Sequence, residues 1–191
     1  VGISSSSRAA VSWAGDAVSN TCARPHDHTK CYQRANPSAT VQLAADLVSM
    51  DADGFTVNIT TFTSNETVSF LAIGGSDVSA SLVEYQSATV TGTQALTGAG
   101  FSPEAFMVFS SGFSTAPPSG TTSAKMSVGL GTSPSAEGHA SLQGTNNVAG
   151  RYQRTSSIMS ELGSTNTVDE EGNVDSVDAD GITINWTSVE A

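Results

Sequence analysis

The chain has 191 residues, with 7 Lys plus Arg against 18 Asp plus Glu and a formal net charge of −11. That balance argues against nucleic acid as a partner, because phosphate binding needs clustered Lys and Arg, and against anionic membrane surfaces. No apolar run approaches the roughly 18 residues of a membrane-spanning helix. Polarity comes mostly from Ser and Thr, with 18 Gly, a composition that suits short strands and tight turns and is poor for helices.

Period-two alternation runs through the chain and predicts strands. Residues 10–13 alternate, so Trp13 is expected in the core. A strand at residues 47–50 leads through Asp51-Ala52-Asp53-Gly54, read as a hairpin turn, into a strand at 55–60. Further strands are expected at 67–73, 81–90, 105–109, 125–130, 139–142 and 156–160. Turn clusters separate them at Gly74-Gly75, Gly98-Ala99-Gly100, residues 117–120 and residues 163–166. A second hairpin then joins 174–177 to 182–187 through Asp178-Ala179-Asp180-Gly181. Both turn glycines, Gly54 and Gly181, are expected at positive φ. Many short strands with regular turns read as an all-β protein of tandem antiparallel β-sandwich domains, jelly-roll-like.

The two hairpins belong to a repeat. Asp51-Ala52-Asp53-Gly54-Phe55-Thr56-Val57-Asn58-Ile59-Thr60 returns as Asp178-Ala179-Asp180-Gly181-Ile182-Thr183-Ile184-Asn185-Trp186-Thr187, an offset of 127 residues. The same offset pairs Arg24 with Arg151 and Thr40-Val41 with Thr167-Val168. It is about the length of one domain. Two units are expected, 1–77 and 78–191, the first without its N-terminal part and the second without its last strand.

Three stretches carry a resemblance. They are Gly100-Phe101-Ser102-Pro103-Glu104-Ala105-Phe106-Met107-Val108-Phe109, the Asp-Ala-Asp-Gly-Phe-Thr-Val-Asn hairpin, and Phe70-Leu71-Ala72-Ile73-Gly74-Gly75. In this order they resemble β-rich repeat domains of structural proteins in tailed bacteriophages, found in fibre-like or surface positions of the virion. The resemblance implies assembly outside the cell, as a tail-fibre or capsid-decoration component. It also implies a homo-oligomer, plausibly a trimer, docked on other virion structural proteins at the particle surface. It brings no catalytic residue and no cofactor with it.

Side-chain chemistry offers a few sites. Asp51 and Asp53, with Asp178 and Asp180, have the carboxylate spacing of half a calcium loop, but the remaining ligands do not follow, and a hairpin turn explains them first. Cys22 to Cys31 is the densest cluster. A Cys22–Cys31 disulfide is favoured, with two buried thiols or a metal as alternatives. The second copy has Ala149 and Ile158 at these positions, so the fold does not need the cysteines. Arg24, His26, Asp27 and His28 within that segment are therefore candidates for a recognition loop.

Arg24 and Arg151 each read as pairing with a carboxylate, within a copy or across an interface, and Arg8, Arg34 and Arg154 as solvated. Trp13, Tyr32, Tyr85 and Tyr152 are the available aromatics for stacking on a host surface glycan, the alternative reading as a carbohydrate-binding adhesin. Enzyme motifs such as Gly-x-Ser-x-Gly are missing. His139 stands alone and Glu170-Glu171 reads as a solvated loop, so no enzyme is expected.

Overall fold

The computed structural model describes residues 2–3, 7–15, 22–23, 26–63, 65–112, 120–121, 123–145, 148–163 and 165–190. Among them are seventeen strands and no helix. In the first copy these are β1 Gly2–Ile3, β2 Arg8–Val11, β3 Ala14–Gly15, β4 Cys22–Ala23, β5 His26–Asp27, β6 Tyr32–Ala35, β7 Val41–Asp51 and β8 Gly54–Phe62. The second contains β9 Gly92–Thr97, β10 Phe106–Ser110, β11 Gly120–Thr121, β12 Ser123–Ser133, β13 Ala136–Thr145, β14 Val148–Arg154, β15 Met159–Leu162, β16 Val168–Asp178 and β17 Gly181–Ser188. Every pairing is antiparallel. The chain is an all-β, sandwich-like protein.

The second copy is a closed sandwich. One sheet has the order β10-β12-β13-β14 and the other β15-β16-β17-β9. Between them lies a core of Leu96, Val108, Ile158, Met159, Val174, Ile182, Ile184 and Trp186, with Tyr85, Ala88 and Phe106 packed against it. Ile182, Ile184 and Trp186 are the alternating residues of one strand face, as period two requires. Among its described residues the first copy has the sheet β6-β7-β8, equivalent to β15-β16-β17, with two small sheets, β1-β2-β5 and β11-β4-β3, beside it. In the last of these, Gly120 and Thr121 pair with Ala23 and Cys22, so the two copies share one sheet.

The repeat is structural down to its irregularities. The first copy breaks register between Arg34 and Ala35, Ala44 and Ala45, and Leu47 and Ser49. The second breaks it between Glu161 and Leu162, Glu171 and Gly172, and Val174 and Ser176, each 127 residues on. Ala39 and Asn166 are the non-glycine residues with positive φ among the described residues, at 61° and 60°, and they are also equivalents. Such coincident bulges are design features of a fold, not accidents of either copy.

The Asp-Ala-Asp-Gly hairpins explain their own retention. Asp51 accepts from Ser49 Oγ at 2.8 Å and from Thr56 Oγ1 at 2.7 Å. Asp178 accepts from Ser176 Oγ and Thr183 Oγ1 at the same distances. The hydroxyls come from both arms of the hairpin, so the carboxylate ties the turn shut. Asp180 does a second job, accepting from the amides of Gly98 and Gly100 and so fixing the segment that follows β9.

Three expectations need correction. Residues 67–73 and 81–90 form no ladder; side chains hold them instead. Phe70 meets Phe55 edge-on at 4.9 Å, and Tyr85 Oη reaches Met159 Sδ at 3.4 Å. Gly181 has the expected positive φ, 146°, but Gly54 does not. Trp13, expected in the core, is exposed.

Candidate functional site

Cys22 and Cys31 are both buried free thiols. Cys22 Sγ lies 3.8 Å from the Gly144 carbonyl and Cys31 Sγ 3.2 Å from that of Ala45, so each is held by a different sheet rather than by the other. Arg24 lies outside the described residues. His26 pairs with Glu84 at 2.9 Å. Asp27 accepts from the amide and hydroxyl of Thr29 and from Gln33. Burial opposes its charge, yet these bonds and Lys30 hold the carboxyl below its ordinary value. His28 is exposed. Asp27 therefore organises a tight turn that presents His28.

Among the described residues no three His, Cys, Asp or Glu side chains gather as metal ligands; Asp51 and Asp178 are occupied by hydroxyls, as above, and Asp53 is exposed. The aromatic candidates are held by different elements: Tyr85 packs near Trp186 and Tyr152 near His139. The arginines read as solvated have partners. Arg8 donates to the Thr29 carbonyl, Arg34 pairs with Glu66, and Arg154 Nη1 reaches both Glu171 oxygens at 2.7 and 2.8 Å.

The most concentrated chemistry is a buried polar seam between the sheets of the second copy. His139 Nδ1 lies 3.0 Å from the Ser157 carbonyl, so that nitrogen carries the proton. In the neutral ring Nε2 is then free to accept from Ser160 Oγ at 2.7 Å. Ser160 Oγ also meets Ser141 Oγ at 3.0 Å, and Ser141 meets Ser127 at 3.0 Å. Ser157 Oγ continues the chain to Glu171 at 2.9 Å. Ser160 on the imidazole has the form of a nucleophile and its base, although Ser157 stands between the ring and the Glu171 carboxylate. Ser160 has no exposed surface, however, so no substrate carbonyl reaches its oxygen while the sheets stay together. The seam is an inter-sheet clasp. Lone His139 and the pair Glu170-Glu171 were its signals in the sequence, but the strand that buries them makes the solvated-loop reading of Glu170-Glu171 wrong.

Glu170 belongs to a second polar group, buried except at Glu190. Lys125 Nζ lies 2.9 Å from Glu190 and 3.8 Å from Glu161. Ser110 donates to Glu161 at 2.5 Å and Ser87 to Glu170 at 3.2 Å. Burial, then the charge of Glu161, pushes the Glu170 carboxyl up to about 7 from an ordinary 4.5. A raised carboxyl binds its proton more tightly in the folded chain than in the unfolded one. Its contribution to stability is therefore full below about pH 4.5 and falls as pH rises through about 7. At most about 3 kcal/mol is at stake, from 1.36 kcal/mol per pH unit. Glu170→Gln is expected to raise stability at pH 8 by up to this amount and to flatten the pH dependence between 5 and 8. Urea unfolding at both pH values checks it; an unchanged slope would contradict the assignment.

The sheet β10-β12-β13-β14 is inside out over β12 and β13, while its β10 turns Phe106 and Val108 into the core. Its inward face carries Lys125, Ser127, Glu137, His139, Ser141 and Gln143, all buried. Its outward face carries Met107, Phe109, Leu130 and Leu142, each at least 42% exposed. Register places Phe109 beside Val128, Met107 beside Leu130 and Met126 beside Leu142, so these side chains form one continuous apolar surface. Monomeric proteins rarely leave such a patch in water.

No family model, curated protein or solved structure matches the chain.

Proposed function

We propose that the chain is a non-enzymatic assembly module of a virus particle, a fibre, decoration or surface component that works by self-association and docking on other virion proteins. The observation that supports this most is the inverted sheet. A fold that buries His, Lys, Glu and Ser while turning Met, Phe and Leu outward is built to be covered by another protein. The viral setting and the location on the particle exterior rest on the resemblance of the three sequence stretches. The charge of −11 keeps assembled particles soluble and mutually repelling.

Sedimentation velocity tests the reading. The chain is expected to sediment as an oligomer, and Leu130→Lys together with Leu142→Lys is expected to give monomers with unchanged circular dichroism. A monomeric parent chain at tens of micromolar would contradict it. The glycan-binding alternative draws on one observation, the exposed indole of Trp13. Saturable binding on a glycan array, abolished by Trp13→Ala, would favour it.

A further inference from the structure

Equivalent residues in the two copies meet opposite fates. Ile184 and Trp186 are 0% and 1% exposed, whereas their counterparts Val57 and Ile59 are 38% and 56% exposed. The difference lies in what covers them. In the second copy β9 pairs along the edge of β17, with Leu96 opposite Ile182 and Gln94 opposite Ile184. Gln94 Oε1 accepts from Trp186 Nε1 at 2.7 Å, and Leu96, Phe106 and Val108 close over the core. In the first copy β8 is the last strand of its sheet among the described residues.

That edge has none of the usual protection. Gly54–Phe62 reads Gly-Phe-Thr-Val-Asn-Ile-Thr-Thr-Phe, with no charge and no proline to discourage another strand. The neighbouring Val68, Phe70, Leu71 and Ile73 are also exposed, so the apolar surface is continuous with the chain that follows β8.

Gly54 supplies an independent sign. A Cβ on Gly181 would lie 2.0 Å from the Leu96 carbonyl, because β9 approaches that closely; a Cβ on Gly54 would meet nothing within 4 Å. Among the described residues the first copy keeps this glycine with no fourth strand against it.

We infer that the free edge and apolar face of β8 form an acceptor site for a β-strand segment with the chemistry of residues 92–110, supplied by a further repeat of this type. The chain's own 92–110 is already engaged by β17 and β12. Register transferred from the second copy puts the donor's Leu96 equivalent opposite Phe55 and its Gln94 equivalent opposite Val57. Main-chain bonds supply affinity and the alternating pockets supply choice, as in other strand-addition complexes. The inference deepens the assembly reading by naming the chemistry of one partner.

The test uses the intact chain and a fluorescent peptide with the sequence of residues 90–110, read by anisotropy. One-to-one saturable binding is expected, with hydrogen exchange slowed in residues 54–62. Gly54→Ala and Ile59→Lys are each expected to weaken binding at least tenfold. The alanine is the sharper variant, since its methyl group touches nothing in the free chain. A peptide carrying Leu96→Asp is the control. Equal affinity for the two peptides, no loss with Gly54→Ala, or exchange protection confined to residues outside 54–62 would each overturn the inference. Peptide binding by a chain that sediments as a monomer regardless of Leu130 would leave the strand site standing and remove the outward-face reading. An oligomer that ignores the peptide would do the reverse.

Discussion

Alanine at Gly181 is expected to cost at least about 4 kcal/mol, and alanine at Gly54 less than about 1 kcal/mol. The two glycines hold the same place in the same hairpin. At Gly181 two effects add. Its φ of 146° is a backbone conformation that L side chains rarely adopt, and the new methyl group would lie 2.0 Å from the Leu96 carbonyl. Relief requires β9 to move off β17, which uncovers Ile182, Ile184 and Trp186. At Gly54 neither effect operates. Urea unfolding of the two variants measures the difference. Equal losses would mean that β8 is as enclosed as β17, which the exposure of Val57 and Ile59 denies.

His139→Ala is expected to cost about 3–5 kcal/mol, comparable to removing a buried aromatic ring. The deletion leaves a cavity between the sheets and takes from Ser160 its 2.7 Å partner. Buried groups left without partners add about 1–3 kcal/mol. Ser160→Ala, which keeps the ring, is expected to cost less, about 1–3 kcal/mol. The double variant should fall short of the sum, because both changes break one bond. A near-neutral His139→Ala would show that the sheets are held by the apolar core alone.

Part of this architecture was legible from residue types. The hairpins were, because Ser, Asp, Gly and Thr recur at fixed offsets and each carries out its bond within a few residues of itself. Strand faces such as Ile182, Ile184 and Trp186 were legible from alternation. What alternation cannot supply is which face turns inward. In β12 and β13 the polar set, Lys125, Ser127, His139 and Ser141, went in and the apolar set went out, because bonds across the sandwich satisfy the polar groups and no long-range bond is written in a local pattern. The buried state of Glu170-Glu171 was hidden for the same reason.

Residues 67–73 fail differently. Their apolar run has the composition of a strand, but a strand needs a partner, and the described residues supply none. β9 was missed because Gly92-Thr93-Gln94-Ala95-Leu96-Thr97 is weakly apolar, and its strand character comes from pairing with β17. For the cysteines the sequence favours a disulfide and leaves two buried thiols as an alternative; their thiols face carbonyls of separate strands.

The proposed picture is of one repeat that is closed and a second that offers a strand edge and an apolar face, beside an outward sheet that also needs cover. Assembly through such surfaces joins modules without any reaction chemistry.

Amide hydrogen exchange on the isolated chain tests that picture most directly. A central strand has all its amides bonded, whereas an edge strand leaves alternate amides to solvent. The account predicts uniformly slow exchange along β17 and alternating fast and slow amides along β8. Uniformly slow exchange in both strands would show that β8 is already covered, and would contradict it.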